Sequence, residues 1–170
     1  MSKHVAVILG GWSAEREVSL SSGRECAKAL REKGYQVTEI DATRDLANQI
    51  AAIDPKPDVI FNALHGRWGE DGAVQGLLEI LNIPYTHSGV RASAIAMDKM
   101  SAKAMFAEYE IPCARHVWVS RGDIANGKAL PPPYVLKPNN EGSSVGVEII
   151  LTPEEEQNML ARDWVHGDGV

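Results

Sequence analysis

The sequence predicts an α/β protein in which a parallel sheet, with helices on its faces, is followed by an incomplete second region. Through residues 1–96, short apolar runs alternate with helix-length segments joined by short connections. That alternation is typical of a parallel sheet covered by helices. Near residue 97 the pattern changes, and the segments after it offer few strands and a thin core. We therefore expect two domains, residues 1–96 and residues 97–170.

The first region is expected to contain four strands and three helices. Residues 5–9 are an apolar run that ends at two glycines, which predicts a buried strand. The helix after it, residues 15–33, is expected to end at Gly34, because glycine readily adopts the left-handed conformation found after many helices. The other expected elements are strands at 35–40, 58–64 and 83–86 and helices at 44–53 and 73–81.

Two abutting helices are expected on either side of the boundary, residues 91–96 and 99–108. The last ten residues carry no capping or closing signal, so we expect the chain to end inside a domain. The other expected elements are strands at 115–119, 134–136 and 145–150, a Gly/Pro-rich connection through 131–133, a loop at 139–144 and an acidic helix at 153–160.

Composition excludes several classes of protein. Hydrophobic residues make up 44% and charged residues 24% of the 170 residues, which argues against a disordered or fibrous chain. No apolar run approaches the roughly 20 residues of a membrane span, and the N-terminus has no signal-peptide pattern. The net charge of −6 argues against nucleic acid or an anionic membrane as the main partner. Cys26 and Cys113 have no metal-ligand spacing, so we expect a cytoplasmic protein with reduced thiols.

Two polar clusters follow expected strands, at the edge where open parallel sheets bind ligands. In the first cluster, Gly10 and Gly11 precede Glu15, which stands where a dinucleotide-binding motif has its third glycine. Glu15 is either a first-turn acid favoured by the helix dipole or a carboxylate that holds an ammonium group. In the second cluster, His65 begins a glycine-rich loop, and it is either a structural or a functional histidine. Asp71 is expected to cap the next helix.

Two further clusters contain lysines that suit phosphate. Lys99 follows a capping aspartate, and a cation in the first turn of a helix is disfavoured unless an anion lies nearby. A lysine–phosphate pair about 4 Å apart is worth about 4 kcal/mol at an effective dielectric near 20. Lys103 is interpreted as a solvated surface residue. Lys137 precedes a Gly-Ser-Ser loop that either folds over phosphates or is a plain exposed hairpin, and it matches no Walker loop.

Together these four clusters resemble the D-alanine–D-alanine ligases of the ATP-grasp superfamily. The resemblance runs from Val5 to about Ile150 and is carried, in family order, by LGGWSAEREVS, ALHGRWGEDGAVQG, PYTHSGVRASAIAMDKMSAK and VLKPNNEGSSVG. Two residues depart from the family pattern: His87, where glycine is common, and Trp68, which is bulkier than the residue often found there. The resemblance implies a Rossmann-like N-terminal substrate-binding domain and then the truncated start of an ATP-grasp domain.

The resemblance also implies an activity and roles for residues. ATP would phosphorylate the carboxylate of one D-alanine, and the amine of a second would attack the acyl phosphate, giving D-alanyl-D-alanine for peptidoglycan synthesis. Glu15 would anchor the first ammonium, with His65 beside the first carboxylate. Ser143 would hydrogen-bond with Glu15 in the same catalytic network. The residues implied in ATP binding are Lys99, Lys137, Gly142, Ser143, Ser144, Val145 and Gly146.

Further properties follow from the same resemblance. The family uses Mg²⁺ or Mn²⁺, whose ligands we expect beyond residue 170, so no residue here is assigned to metal. We also expect a homodimer and no activity from these 170 residues alone. Three alternatives stay open: a ligase with D-lactate or D-serine as second substrate, a noncatalytic binding module derived from ATP-grasp, and a nicotinamide or flavin oxidoreductase that would bind ribose through Asp41.

Overall fold

The computed structural model describes residues 2–142 and 144–162, and the chain divides into two compact units, Met1–Ala96 and Met97–Val170. The elements of the first unit are β1 (His4–Gly10), α1 (Arg16–Glu32), β2 (Gln36–Ala42), α2 (Leu46–Ala51), β3 (Val59–Asn62), α3 (Ala73–Ile80) and α4 (Val90–Met97), the last residue of which crosses the boundary. The elements of the second unit are α5 (Lys99–Glu108), α6 (Arg121–Ala125), β4 (Tyr134–Leu136), β5 (Glu148–Ile150) and α7 (Pro153–Leu160).

The first unit is built on a parallel sheet with strand order β2-β1-β3, which confirms the predicted fold class. The central strand, β1, is buried at all seven positions because both of its faces are covered. Val7 and its neighbours two residues away pack with apolar residues of α1. Ala6 and Ile8 point the other way and pack with apolar residues of α2 and α3. This three-layer arrangement brings the loops after β1 and β3 to the same edge of the sheet.

The close packing of α1 on the sheet depends on a glycine. A Cβ on Gly23 would collide with the side chain of Leu9 in β1. The helix ends where the sequence predicts, since Gly34 has φ 86° and its N–H donates to the carbonyl of Arg31 at 2.9 Å.

The expected fourth strand at residues 83–86 is not formed. Its pairing with β3 is reduced to a single parallel bridge between Ile60 and Tyr85. Pro84 accepts a hydrogen bond from Ile60 N but has no N–H to donate, so the ladder cannot extend through it. The hydroxyl of Thr86 then replaces a backbone partner by accepting from Asn62 N at 3.1 Å. In the described part of the chain, this sheet therefore has three strands.

The second unit has a small core between a β-hairpin and two helices. β4 and β5 pair antiparallel, with Val135 opposite Ile149. β5 begins three residues later than expected because Ser144 and Gly146 adopt positive φ angles of 63° and 66°, which belong to a turn. The buried side chains of this core are Val119, Ile124, Leu136, Ile150 and Met159.

Two expectations for the second unit were wrong. Residues 115–119 form no strand in the described structure, since apolar and β-branched residues there have no neighbouring strand to pair with. Residues 121–125, expected to be a connection, form α6. The signal was a capping box, in which Ser120 accepts from Asp123 N and Asp123 accepts from Ser120 N. Every helix in the described residues is too short or too polar to span a bilayer.

Candidate functional site

The loop after β1 is shaped by glycines and by one bidentate ion pair. Gly10 and Gly11 both have φ 77°, and a Cβ on Gly10 would overlap the Asp41 carboxylate. Arg16 donates to both oxygens of Asp41 at 2.7 Å and to the carbonyl of Gly11 at 2.9 Å. The hydrogen bonds from Arg16 lower the pKa of Asp41 and keep it ionised. Asp41 is thus engaged by Arg16, which removes the ribose-binding acid that an oxidoreductase would need.

Glu15 is buried between the loops that follow β1 and β3. The residue is only 5% exposed, and a Cβ placed on Gly66 would overlap the Oε2 atom of Glu15. Ser13 joins the two loops, because its hydroxyl donates to the carbonyl of His65 at 2.8 Å and accepts from Glu15 N at 3.2 Å. Among the described residues, no group donates a hydrogen bond to the Glu15 carboxylate. A carboxylate at this edge of the sheet can hold a cation through charge-assisted hydrogen bonds.

His65 lies on the same edge of the sheet, and α1 holds its ring. The Nε2 atom is 3.0 Å from Oγ of Ser22, one helical turn beyond Val18. Sequence reasoning singled out His65 and Glu15 but missed Ser13 and Ser22. A weak signal for Ser22 existed, because serine is a poor residue for a helix interior unless it hydrogen-bonds locally or across to a neighbour.

The loop between β3 and α3 is braced by side chains from both elements. Asn62 and Gln75 each donate through the side-chain amide to the carbonyl of Gly69 at 2.8 Å. Asp71 accepts from Trp68 N and from Ala73 N, both at 3.0 Å, but the N-cap residue of α3 is Gly72 rather than the expected Asp71. This bracing fixes the path of the loop that carries His65.

Gly66 contacts the side chains of two acidic residues, Glu70 and Glu15. Its N–H donates to the Glu70 carboxylate at 2.6 Å, while its Cα faces Glu15. Its φ of 70° lies in the left-handed region that favours glycine. The position of Gly66 therefore fixes where the Glu15 carboxylate can lie.

Both residues that depart from the family pattern adopt positive φ angles, 76° at Trp68 and 93° at His87. These angles explain why glycine suits the His87 position. The Trp68 ring packs 6.1 Å from the Trp12 ring, and both lie under the guanidinium of Arg44. Arg67 stacks on Trp68 at 4.7 Å. Aromatic and cation–π contacts therefore hold Trp68 in its strained conformation.

In the second unit, the structure brings Lys99 to the loop after β4. Its Nζ donates to the carbonyl of Asn139 at 3.1 Å and to that of Glu141 at 2.6 Å. Burial, together with the nearby charge of Lys137, lowers the pKa of Lys99. As expected, Asp98 caps α5 by accepting from Ser101 N at 2.7 Å. Two neighbouring ammonium groups in a partly buried site favour a polyanionic ligand.

These lysines line a cleft of about 690 Å³ within the second unit. A cleft of that size suits a small-molecule ligand. Lys103 also lines the cleft and is half-buried, and its interpretation as a solvated surface residue stays a prediction. Apolar residues that contribute to the walls are Met100, Val117, Trp118, Leu130, Pro131 and Val135.

The Gly-Ser-Ser loop is described only in part. Ser143 lies outside the described residues, and with it the expected hydrogen bond to Glu15. Gly142 accepts from Val145 N at 2.9 Å, and Ser144 and Gly146 complete a tight turn. The structure thus groups Glu15 with His65 in the first unit, and Lys99 with Lys137 in the second.

Comparison with known proteins gives a consistent result. Residues 47–88 match the family model described as D-ala D-ala ligase N-terminus. A D-alanine–D-alanine ligase of Parvibaculum lavamentivorans is 60% identical over 99% of this chain and 55% of its own length. That of Acidiphilium cryptum is 57% identical over 97% of this chain and 55% of its own. The chain thus spans about half the length of the curated relatives it matches.

Solved structures give the same assignment. The crystal structure of a D-alanine–D-alanine ligase from Bacillus anthracis has a TM-score of 0.76 and 34% identity, over 94% of this chain and 53% of that one. The structure of the same enzyme complexed with ATP also has a TM-score of 0.76, with 32% identity over 95% and 52% of the two chains. By sequence and fold, the chain is similar to D-alanine–D-alanine ligases over about half of their length.

Proposed function

We propose that this chain supplies the first-substrate site and part of the ATP site of a ligase that joins two D-alanines for peptidoglycan synthesis. The observation that carries the proposal is the buried Glu15 carboxylate, which has no hydrogen-bond donor among the described residues and lies at the ligand-binding edge of a parallel sheet. An ammonium group suits a carboxylate in this position.

The two loops at this edge suit both charged groups of an amino acid. Glu15 would hold the ammonium of the first D-alanine, and His65 would contact its carboxylate. Ser13 bonds to the backbone of both residues, so the two groups are held in one arrangement. That rigidity supports catalysis, because fixing the reacting carboxylate supplies part of the entropy that the reaction requires.

The cleft of the second unit would receive the ATP phosphates. A triphosphate beside Lys99 and Lys137 would neutralise two charges that now oppose each other. Gly142, Ser144, Val145 and Gly146, with Ser143, would cover the phosphates through backbone N–H groups. The solved relative complexed with ATP supports ATP as the nucleotide.

The proposed reaction balances without a redox partner. A carboxylate oxygen of the first D-alanine takes the terminal phosphoryl group of ATP, and ADP leaves. The amine nitrogen of the second D-alanine then attacks the acyl carbon, its extra proton is lost, and inorganic phosphate departs as the peptide bond forms. Ser143 and Glu15 would position the first substrate, and donors for the oxyanion would come from other residues of the enzyme.

The described residues do not supply a metal site. In the described residues, no three His, Cys, Asp or Glu side chains cluster as a metal site, so this stretch does not fit Mg²⁺ or Mn²⁺. We place the metal ligands elsewhere in the enzyme and assign no step to the ion here. A cytoplasmic location, a homodimer and the absence of nucleic-acid and membrane partners belong to the same proposal.

The proposal is tested with the full-length protein, ATP, Mg²⁺ and D-alanine. ADP release should require D-alanine, and chromatography should show D-alanyl-D-alanine in equal amount. Parallel reactions containing D-lactate or D-serine beside D-alanine test the two alternative second substrates, and L-alanine is the control for stereochemistry. ADP release that is independent of D-alanine, or none at all, would contradict the proposal.

A further inference from the structure

The contact between His65 and α1 also indicates which nitrogen of the His65 ring carries the proton. Ser22 Oγ lies 3.0 Å from His65 Nε2 and 2.9 Å from the carbonyl oxygen of Val18, four residues earlier in the same helix. The carbonyl oxygen of Ser19 is a third, more distant neighbour at 3.4 Å. Both carbonyl oxygens can only accept, and the serine hydroxyl has one proton to share among its three neighbours.

Counting protons assigns the histidine tautomer. If Ser22 donates to Val18 O, then His65 Nε2 must carry a proton and donate to Ser22 Oγ, and both contacts are hydrogen bonds. If Ser22 instead donates to Nε2, its oxygen faces the Val18 carbonyl oxygen at 2.9 Å with no proton between them. The first arrangement satisfies both contacts, so the network favours a proton on Nε2.

The other ring nitrogen then becomes the one available to a ligand. Among the described residues, no group hydrogen-bonds His65 Nδ1. The charged groups around this ring come from its own loop and from the start of α1. Glu15 and Glu70 both contact the adjacent Gly66, and Arg67 shares a small cavity wall with His65.

We infer that Ser22 is a positioning residue that fixes the His65 ring through Nε2–H and leaves Nδ1 free to accept a hydrogen bond from the first substrate. The identity of that substrate rests on the proposed function, whereas the tautomer does not. Without the Ser22 hydroxyl, the ring could rotate or exchange its tautomer, and the substrate would lose a fixed hydrogen-bond acceptor.

The tautomer is measured directly by NMR of the chain labelled with ¹⁵N-histidine, at about pH 8, where a histidine of ordinary pKa is neutral. The His65 signals are identified by their loss in His65→Gln. We expect the Nε2–H tautomer in the unsubstituted chain and in Ser22→Thr, which keeps the hydroxyl, and a mixture in Ser22→Ala. A proton on Nδ1 in the unsubstituted chain would overturn the inference.

Kinetics of the full-length enzyme test the consequence. Ser22→Ala should raise the KM for the first D-alanine about three- to tenfold, the effect of one net hydrogen bond, with the KM for ATP unchanged. Ser22→Thr should restore it, and Ser21→Ala, at an exposed neighbour, should match the unsubstituted enzyme. Equal KM values for Ser22→Ala and Ser21→Ala would overturn the positioning role. If the full-length protein makes no dipeptide, the proposed function fails, and the NMR result alone still decides whether Ser22 sets the tautomer.

Discussion

The carboxylate of Glu15 packs directly against the Cα of Gly66, so closely that a Cβ on Gly66 would overlap Oε2 of Glu15. These residues lie in different loops, one after β1 and one after β3, and the Ser13 hydroxyl links the same loops. The contact makes the glycine a determinant of where the buried negative charge lies. The backbone conformation of the loop after β3 therefore affects where the loop after β1 holds its carboxylate.

Gly66→Ala is expected to weaken the first D-alanine site. The new methyl group displaces the Glu15 carboxylate, and a displacement of about 1 Å can cost about a hundredfold in rate. The positive φ of residue 66 adds a cost of about 1–2 kcal/mol in the free energy of unfolding. Steady-state kinetics in D-alanine and urea unfolding measure the two effects.

Gly76→Ala is the matched control, since a Cβ at this position in α3 meets nothing within 4 Å. It should keep the kinetics unchanged and stabilise the protein by up to about 1 kcal/mol. A folded Gly66→Ala protein with normal D-alanine kinetics would show that the contact does not position Glu15.

Lys137→Ala should raise the apparent KM for ATP and lower kcat in the full-length enzyme. The loss of one charge-assisted hydrogen bond to phosphate costs about 1.5–3 kcal/mol, which corresponds to at least about a tenfold effect. Lys33→Ala, at an exposed lysine outside the cleft, is the control. If the ATP kinetics of the two variants are the same, Lys137 does not contact the phosphates.

Asp98→Ala should destabilise the chain by about 1 kcal/mol near neutral pH, because α5 loses its cap. The hydrogen bond from Ser101 N lowers the pKa of Asp98 below its ordinary value of 3.8. A lowered folded-state pKa gives stability that is complete above the unfolded pKa and is lost as pH falls through the folded one. The difference between the two proteins should therefore shrink below about pH 4.

Thermal unfolding at several pH values checks the Asp98 prediction. Asp45→Ala is the control, since Asp45 stands before α2 but its side chain makes no cap hydrogen bond, and it should cost less. A difference for Asp98→Ala that grows as the pH falls would contradict the assigned sign.

Asn62 and Gln75 both donate to the carbonyl of Gly69, but their loss should have unequal effects. Asn62 also accepts from Leu64 N, so Asn62→Ala leaves a buried N–H unpaired and should cost about 2–4 kcal/mol. The Gln75 Oε1 atom has no partner in the described residues, and Gln75→Met removes this buried orphan together with one donor. Its cost should be below about 1 kcal/mol. Urea unfolding of both variants measures the difference, and a larger loss for Gln75→Met would contradict it.

The sequence predicted those parts of the fold that depend on local signals. The helix at 153–160 was placed correctly because capping threonine and proline mark its start, and the strand at 134–136 because an apolar run stops at Lys137 and Pro138. The strand expected at 115–119 was wrong because a strand needs a partner, and residue type alone does not supply one.

The candidate site was likewise predicted only in part. Motifs singled out Glu15, His65, Lys99 and Lys137, but the contacts that position them were not visible in the sequence. Ser13 and Ser22 act on residues more than 40 positions away, and only the folded sheet brings them together.

The central claim is that the buried Glu15 carboxylate binds the ammonium of the first D-alanine. The measurement that tests it most directly compares Glu15→Gln with Glu17→Gln, an exposed acid of the same helix turn, in the full-length enzyme. We predict that Glu15→Gln raises the KM for the first D-alanine about ten- to hundredfold, because a charge-assisted bond is lost. Its free energy of unfolding should be unchanged or higher, while Glu17→Gln changes neither quantity. Normal D-alanine kinetics with a marked loss of stability in Glu15→Gln would make Glu15 a structural residue and contradict the claim.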